Sequence, residues 1–339
     1  LSVTLPLQRT VVAAQAIAGG NLAEPIAVDG RDEMAELGVA LDTMLDPIEA
    51  NHAGQNGLAN ILDHKRAFAA RAYAAQSAGR SLDLIYYIWA TDTSGWLLLA
   101  ELLDAADRGV RVRLLLDDVN VQGFDLAFLG LNQHPNIEVR LFNPVLNRGH
   151  WLRRSVEFAL GLSRFNRRMH GKVWIADGRI AILGGRNVGD TYFGAPGSGA
   201  RLSHDADMVL AGPLVQSVEK VFDTYWNLGL SLPILTLWRS FRISMARYRR
   251  RVARHVNAPL SMQYRTEALS GHNGEGLLIA PLRFTSEVTL LADPPEKAFG
   301  KRKGPWLLDR IETRLFDLRA VEHNRAGRRE AAIQYELAG

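Results

Sequence analysis

Arg168-Met-His170-Gly-Lys172-Val-Trp-Ile-Ala-Asp177-Gly-Arg-Ile-Ala-Ile-Leu-Gly184-Gly185-Arg186-Asn187 decides how this chain is read. Lys172 to Ala176 is a short apolar run with β-branched and aromatic members, and Ile180 to Leu183 is a second one. Asp177-Gly178 between them is a hairpin turn signal, so the spacing predicts two strands joined by a tight turn. His170 and Lys172 are two apart, so an extended chain puts both side chains on one face. An imidazole that can attack or shuttle a proton then sits beside a fixed cation, a pair suited to a phosphoryl group. Asp177 is placed to fix a histidine tautomer or to stabilise the hairpin locally. Gly184 and Gly185 are expected to let a ligand approach closely, Arg186 to bind substrate, and Asn187 to donate to a phosphate oxygen.

These residues resemble the phospholipase D superfamily, whose pattern H-x-K-x4-D-x6-G-(G/S)-x-N is filled here by His170, Lys172, Asp177, Gly184, Gly185 and Asn187. Val188-Gly-Asp190-Thr-Tyr192-Phe193 extends the run into a block that resembles the bacterial cardiolipin synthase branch, its third type in particular. The resemblance implies a histidine nucleophile, a phospho-histidine intermediate and no metal or other cofactor. It assigns His170 as nucleophile and Lys172 and Asn187 as holders of the phosphate oxygens.

The chain has 339 residues, room for one large or two modest domains, and 47% of them are hydrophobic, enough for a sizeable core. It has no cysteine, which excludes a disulfide framework and a thiolate metal site. A net charge of +4 is a mild bias toward anionic partners such as phospholipid surfaces or nucleic acid. No run of 18 uncharged apolar residues is present to span a bilayer. The start at Leu1 rather than Met is expected of a fragment or a processed product.

Three regions are expected. Residues 1–50 read as a helical pair: Pro6 opens an Ala/Val-rich stretch, Gly19-Gly20-Asn21 stops it, and Asp32-Glu33 enter a second stripe of Met34, Leu37, Leu41, Met44 and Leu45. This resembles a HAMP module. Residues 51–235 form the catalytic half. Asn51 to Asn60 is a polar lead-in, His64 to Ser77 an amphipathic helix, and from Leu82 to Leu141 strands and helices alternate. That alternation argues for an α/β sandwich with a largely parallel sheet. The resemblance implies a phospholipase D-like mixed sheet flanked by helices. Residues 236–339 are expected to hold a basic helix and the start of a truncated second half. Residues 256–286 are glycine-bearing and poorly periodic, Glu287 to Leu291 reads as a strand, and Leu307 to Leu318 as a helix. His323 has no lysine two residues on, so the second H-x-K motif of the superfamily is not found.

Other features have plain readings beside functional ones. Asp117-Asp118 at a strand end is a metal pair or, more simply, a cap. Asp207 holds backbone or cations near the site, or is a solvated strand-edge carboxylate. The basic stretch 148–168 suits an anionic membrane surface or a surface helix packed on the sheet, and 239–255 suits phosphate headgroups, nucleic acid or a solvated face. The expected chemistry is phosphatidyl transfer at a bacterial inner membrane, with this chain peripheral to it. A nucleic-acid phosphodiesterase acting as a homodimer and a non-catalytic membrane or signalling module are the alternatives.

Overall fold

The apolar runs become strands because each sends alternate side chains to two faces, and both faces are covered. Leu82, Leu84, Val112, Leu114, Leu116, Trp174 and Ile182 point to one core. Ile85, Leu115, Val173, Ile175, Ala181 and Leu183, the residues between them, point to the other.

The computed structural model describes residues 54–121, 125–147, 157, 168–196, 202–238, 243–270, 282–293 and 299. The helical pair expected at 1–50, most of the basic connector and the helix expected at 307–318 lie outside the described residues. In chain order the elements are β1 (Asn56–Ile61), α1 (His64–Ser77), β2 (Ser81–Tyr86), α2 (Thr93–Asp107), β3 (Arg111–Asp117), α3 (Asp125–Leu131), β4 (Ile137–Phe142), β5 (Lys172–Ala176) and β6 (Ile180–Gly184). There follow α4 (Asp190–Phe193), β7 (Asp207–Ala211), α5 (Val215–Trp226), β8 (Ser231–Pro233), α6 (Ile234–Leu237), α7 (Met245–Val256), α8 (Pro259–Ser270) and β9 (Arg283–Thr285). The nine described strands form one sheet in the order β8-β4-β3-β2-β5-β6-β7-β1-β9. Helices α1, α2, α3, α7 and α8 contribute to the first core and α5 to the second.

The mixed α/β sheet is as expected, but it is not largely parallel. Only β2–β3 and β3–β4 pair in parallel. Parallel neighbours need a crossover, which α2 and α3 supply. The chain from β5 onward travels by tight returns instead: Asp177 (φ 56°) and Gly178 (φ 68°) make the left-handed turn that closes the β5–β6 hairpin. Three further differences have local causes. The polar lead-in is strand β1, held by pairing with β7 and β9 rather than by its own apolar content. Residues 259–270 are helix α8, opened by Pro259 where a missing N–H costs nothing; the glycines of that region begin only at Gly271. Glu287 to Leu291 is not a strand; the segment that joins the sheet is β9, just before it. Elements α7, α8 and β9, beyond the boundary expected at 235, share the core and the sheet of the residues before it.

One buried ion cluster ties these parts together. Asp207, at the start of β7, is fully buried and accepts from Arg71 Nη1 of α1 at 2.9 Å and from Arg186 Nη1 at 3.3 Å. Arg71 also donates to the Tyr86 hydroxyl of β2 at 2.8 Å and to the Ala67 carbonyl at 2.8 Å. Burial opposes the Arg71 charge, yet Asp207 and Tyr86 hold its pKa above the ordinary guanidinium value. Arg186 completes the cluster by donating to the carbonyls of Ile61 and Leu62 at the end of β1. Removing the carboxylate while leaving both cations buried is costly. Asp207→Ala is therefore expected to lower unfolding free energy by about 3–5 kcal/mol in urea titrations; a loss below about 1 kcal/mol would show that the cluster is not a structural tie.

Candidate active site

The strand directions bring five segments to one edge of the sheet. Strand β5 runs antiparallel to β2 and β6, and β7 antiparallel to β6, so the exits of β2 and β6 meet the entrances of β5 and β7. The exit of β3 lies at the same edge, because β3 is parallel to β2. His170 lies in the entrance to β5, Tyr87 in the exit of β2, Asn187 in the exit of β6 and Asp205 in the entrance to β7.

His170 and Lys172 come together as the sequence implies, but in different surroundings. Lys172 begins the strand and is 2% exposed, whereas His170 precedes the strand and is exposed. The Lys172 ammonium donates to the His170 carbonyl at 2.6 Å. Both side chains border one aromatic ring, Tyr87: the His170 ring lies 4.8 Å from it between centroids and Lys172 Nζ 5.5 Å from its centroid. Partial desolvation and the Lys172 charge lower the His170 pKa from its ordinary value, and Asp205 opposes them. At neutral pH the imidazole is therefore mostly unprotonated, the form that can attack phosphorus.

The His170 segment is anchored from β3. Asp117 Oδ2 accepts from the Met169 amide at 3.0 Å, and its Oδ1 lies 3.5 Å from Arg168 Nη1. Oδ1 also accepts from Val119 N at 3.1 Å, capping the short turn Asp118–Asn120. Asp118 accepts from the Val145 amide at 2.9 Å. Each carboxylate of the Asp117-Asp118 pair thus serves a backbone amide, the simple reading of that dipeptide. Burial raises the Asp117 pKa to about 6.

Several expected site residues have other tasks. Asp177 is at the opposite end of β5, about 16 Å of strand away from His170. Its carboxylate accepts from the amides of Gly79, Arg80 and Ser81 at 2.8, 2.7 and 2.8 Å, which fixes the link between α1 and β2 rather than the imidazole. Arg186 is wholly buried in the Asp207 cluster and presents no surface to a substrate, contrary to its expected role. The two glycines accommodate carboxylates, not a ligand: a Cβ at Gly184 would lie 2.2 Å from Asp207 Oδ1 and one at Gly185 2.6 Å from Asp205 Oδ1. Asn187 is 4% exposed; its Oδ1 accepts from Ile88 N at 3.0 Å and its Nδ2 donates to the Tyr192 hydroxyl at 3.1 Å. It clamps the exits of β2 and β6, which are also joined by Ala90 N to Val188 O at 2.9 Å and Val188 N to Ile88 O at 3.1 Å.

Two residues at this edge were missed by sequence reasoning. Tyr87 reads as one more core aromatic in Ile85-Tyr-Tyr-Ile-Trp89, and only the alternation Tyr86 in, Tyr87 out hints at its place. Asp205 stands two before Asp207, the same-face spacing of an extended chain, but the link to His170 is tertiary. Ser203 donates to Asp205 Oδ2 at 2.6 Å and fixes that carboxylate.

Two measurements check this geometry. Gly184→Ala should reduce stability by about 1–3 kcal/mol or more through overpacking against Asp207 and Ala206; unchanged stability with weakened substrate binding would restore the ligand-approach role. In a histidine NMR titration, Asp205→Asn should lower the His170 pKa further and Lys172→Met should raise it. The reverse order would contradict the charge arrangement described here.

The family "Cardiolipin synthase, PLD-like domain" matches residues 73–226 and the HAMP domain matches residues 1–49. Cardiolipin synthase C of Escherichia coli (strain K12) is 41% identical over 276 residues, which is 80% of this chain and 56% of that protein. A cardiolipin synthase of Oceanobacillus iheyensis is 30% identical over 179 residues, 53% of this chain and 35% of that protein. The chain thus spans about half the length of the first relative and about a third of the second. The structure of NucT from Helicobacter pylori aligns with a TM-score of 0.37 and 16% identity over 52% of this chain and 98% of that one. These relatives and the HAMP match indicate a membrane-linked protein, and among the described residues no helix is long and apolar enough to cross a membrane. Residues 73–226 thus match the phospholipase D-like domain of the cardiolipin synthases, and residues 1–49 before them match the HAMP domain.

Proposed function

We propose that this domain transfers a phosphatidyl group from one phospholipid to an alcohol through a phospho-histidine at His170. The observation that carries the proposal is an exposed imidazole, its pKa held low, beside a buried lysine ammonium at the edge where five chain segments meet. In the first step an imidazole nitrogen forms a bond to phosphorus, the bond from phosphorus to the leaving alcohol breaks, and the departing alkoxide takes a proton from a general acid. In the second step the incoming alcohol gives its proton to that same group, now a base, its oxygen attacks phosphorus, and the N–P bond breaks. Lys172 offsets the charge that grows on the phosphate oxygens, while Asn187 holds together the two strand exits that flank them. Asp205 steadies the imidazolium-like charge of the phosphorylated ring.

The general acid is a second imidazole. One H-x-K motif supplies one histidine, so a complete cycle brings a second motif to the site, from further chain or from a second copy of this one. The substrates are phospholipids, and the domain works at the surface of the bacterial inner membrane. With vesicles containing labelled phosphatidylglycerol, the protein supplied with that second motif should form cardiolipin and free glycerol. His170→Ala should cut turnover by at least about a thousandfold and abolish a phospho-enzyme trapped by an alkaline, denaturing quench. Turnover by the alanine variant at the wild-type level would sink the assignment, and hydrolysis of nucleic acid in preference to vesicles would favour the phosphodiesterase alternative.

A further inference from the structure

We infer that the outer ridge of helix α7 is a docking surface for an anionic phospholipid bilayer. The inference deepens the lipid reading of the active site and rests on it for its purpose. Helix α7 contains no acidic residue and five arginines, Arg247, Arg249, Arg250, Arg251 and Arg254. Its inward face is settled by contacts. Tyr248 and Val252 are buried in the core, with the Tyr248 ring seated where a side chain at Gly130 of α3 would stand. Arg249 is neutralised by Asp107 through two hydrogen bonds of 2.6 Å, and the Arg251 guanidinium lies 5.3 Å from the centre of the Trp96 ring. His255 stacks on the same indole at 4.4 Å with the rings 2° from parallel.

The other arginines are different. Arg247, Arg250 and Arg254 are exposed, and their guanidinium groups make no ion pair or hydrogen bond among the described residues. They stand at i, i+3 and i+7, so they form one ridge on the helix. Like charges at that spacing repel, a local cost that nothing in the described fold offsets. An anionic surface does offset it. Two residues past the connector, the first turn of α8 exposes Leu260 (55%) and Met262 (54%). Exposed apolar side chains one short connector on from unpaired arginines suit the headgroup–acyl boundary, where arginines meet phosphate and apolar groups meet hydrocarbon. A polyphosphate duplex would use the arginines but not the leucine and methionine.

The ridge also points the right way. Arg249 pairs with Asp107 at the C-terminal end of α2, and His255 stacks on Trp96 near its N-terminal end, so α7 runs antiparallel to α2. The N-terminus of α2 is at the catalytic edge: Asp190 accepts from the amides of Thr93 and Ser94. Arg254, Leu260 and Met262 therefore lie toward the end of the domain where His170 opens.

Co-sedimentation of the purified full chain with vesicles tests the inference. At about 0.1 M salt, binding to vesicles of phosphatidylcholine with phosphatidylglycerol should exceed binding to phosphatidylcholine alone. Each of R247Q, R250Q and R254Q should weaken it about fivefold, and the three together about a hundredfold, at roughly 1 kcal/mol per arginine. The triple lysine variant should retain binding, which separates charge from loss of fold. Unchanged binding by the triple glutamine variant, or by every single variant if the triple one does not fold, overturns the inference. So does a preference for duplex DNA that these substitutions abolish. Turnover of detergent-dispersed phosphatidylglycerol by the protein supplied with the second motif reads the active site separately: vesicle binding lost by the triple variant, with no turnover by that completed protein, would reject the lipid-enzyme reading and keep the surface.

Discussion

A carboxylate closed off from bulk solvent and held between two guanidiniums is the constraint on which the site depends. Asp207 takes one cation from α1 and one from the exit of β6, and that second cation grips the end of β1 as well. Three elements far apart in sequence are thereby set at one edge of the sheet. Desolvating such a cluster is expensive, and only close geometry offsets the expense. The geometry is close enough that Gly184 has no room for a methyl group. The catalytic-looking Gly-Gly-Arg-Asn run is therefore largely a scaffold: Gly184 admits the carboxylate, Arg186 binds it, and Asn187 ties two strand exits together.

On that scaffold the two reacting groups are treated differently. A lysine that must stay charged through the reaction gains from a fixed place, and Lys172 has one, buried at the start of β5 with its ammonium on a carbonyl and beside the Tyr87 ring. A nucleophile must reach its target, and His170 stands outside the strand in contact with solvent. The lysine charge nearby discourages protonation of the imidazole, while Asp205 keeps that effect from running further. The neutral ring and the fixed cation are two consequences of one arrangement.

Much of this was legible in the sequence, for reasons that differ by residue. The hairpin from Lys172 to Gly184 was readable because its periodicity and its Asp-Gly turn are local. So was the helix His64–Ser77, which matches its expected limits. The pairing of His170 with Lys172 came from spacing and from a family pattern. Sequence leaves Asp177 between two tasks, and only register decides: its three amide partners lie at the α1–β2 link nearly a hundred residues earlier. Arg186 could not be assigned from its position beside the glycines, because burial is a property of the assembled fold. Strand β1 was invisible for a similar reason, being held by partners rather than by its own pattern.

The parallel and antiparallel parts of the sheet meet at the β2–β5 boundary. Strands β2, β3 and β4 are joined by helical crossovers and carry a loop out of the sheet at each exit. If β5 joined β2 in parallel, its entrance would lie at the far edge, and His170 would stand where Asp177 now is. Entering antiparallel, β5 instead brings its first residue against the last of β2, Lys172 opposite Tyr86, and so sets the histidine beside Tyr87. The change of strand direction at the β2–β5 boundary is thus what turns a motif on a hairpin into a site with walls: one wall comes from the crossover half of the sheet, the other from the meander that Asp207 pins.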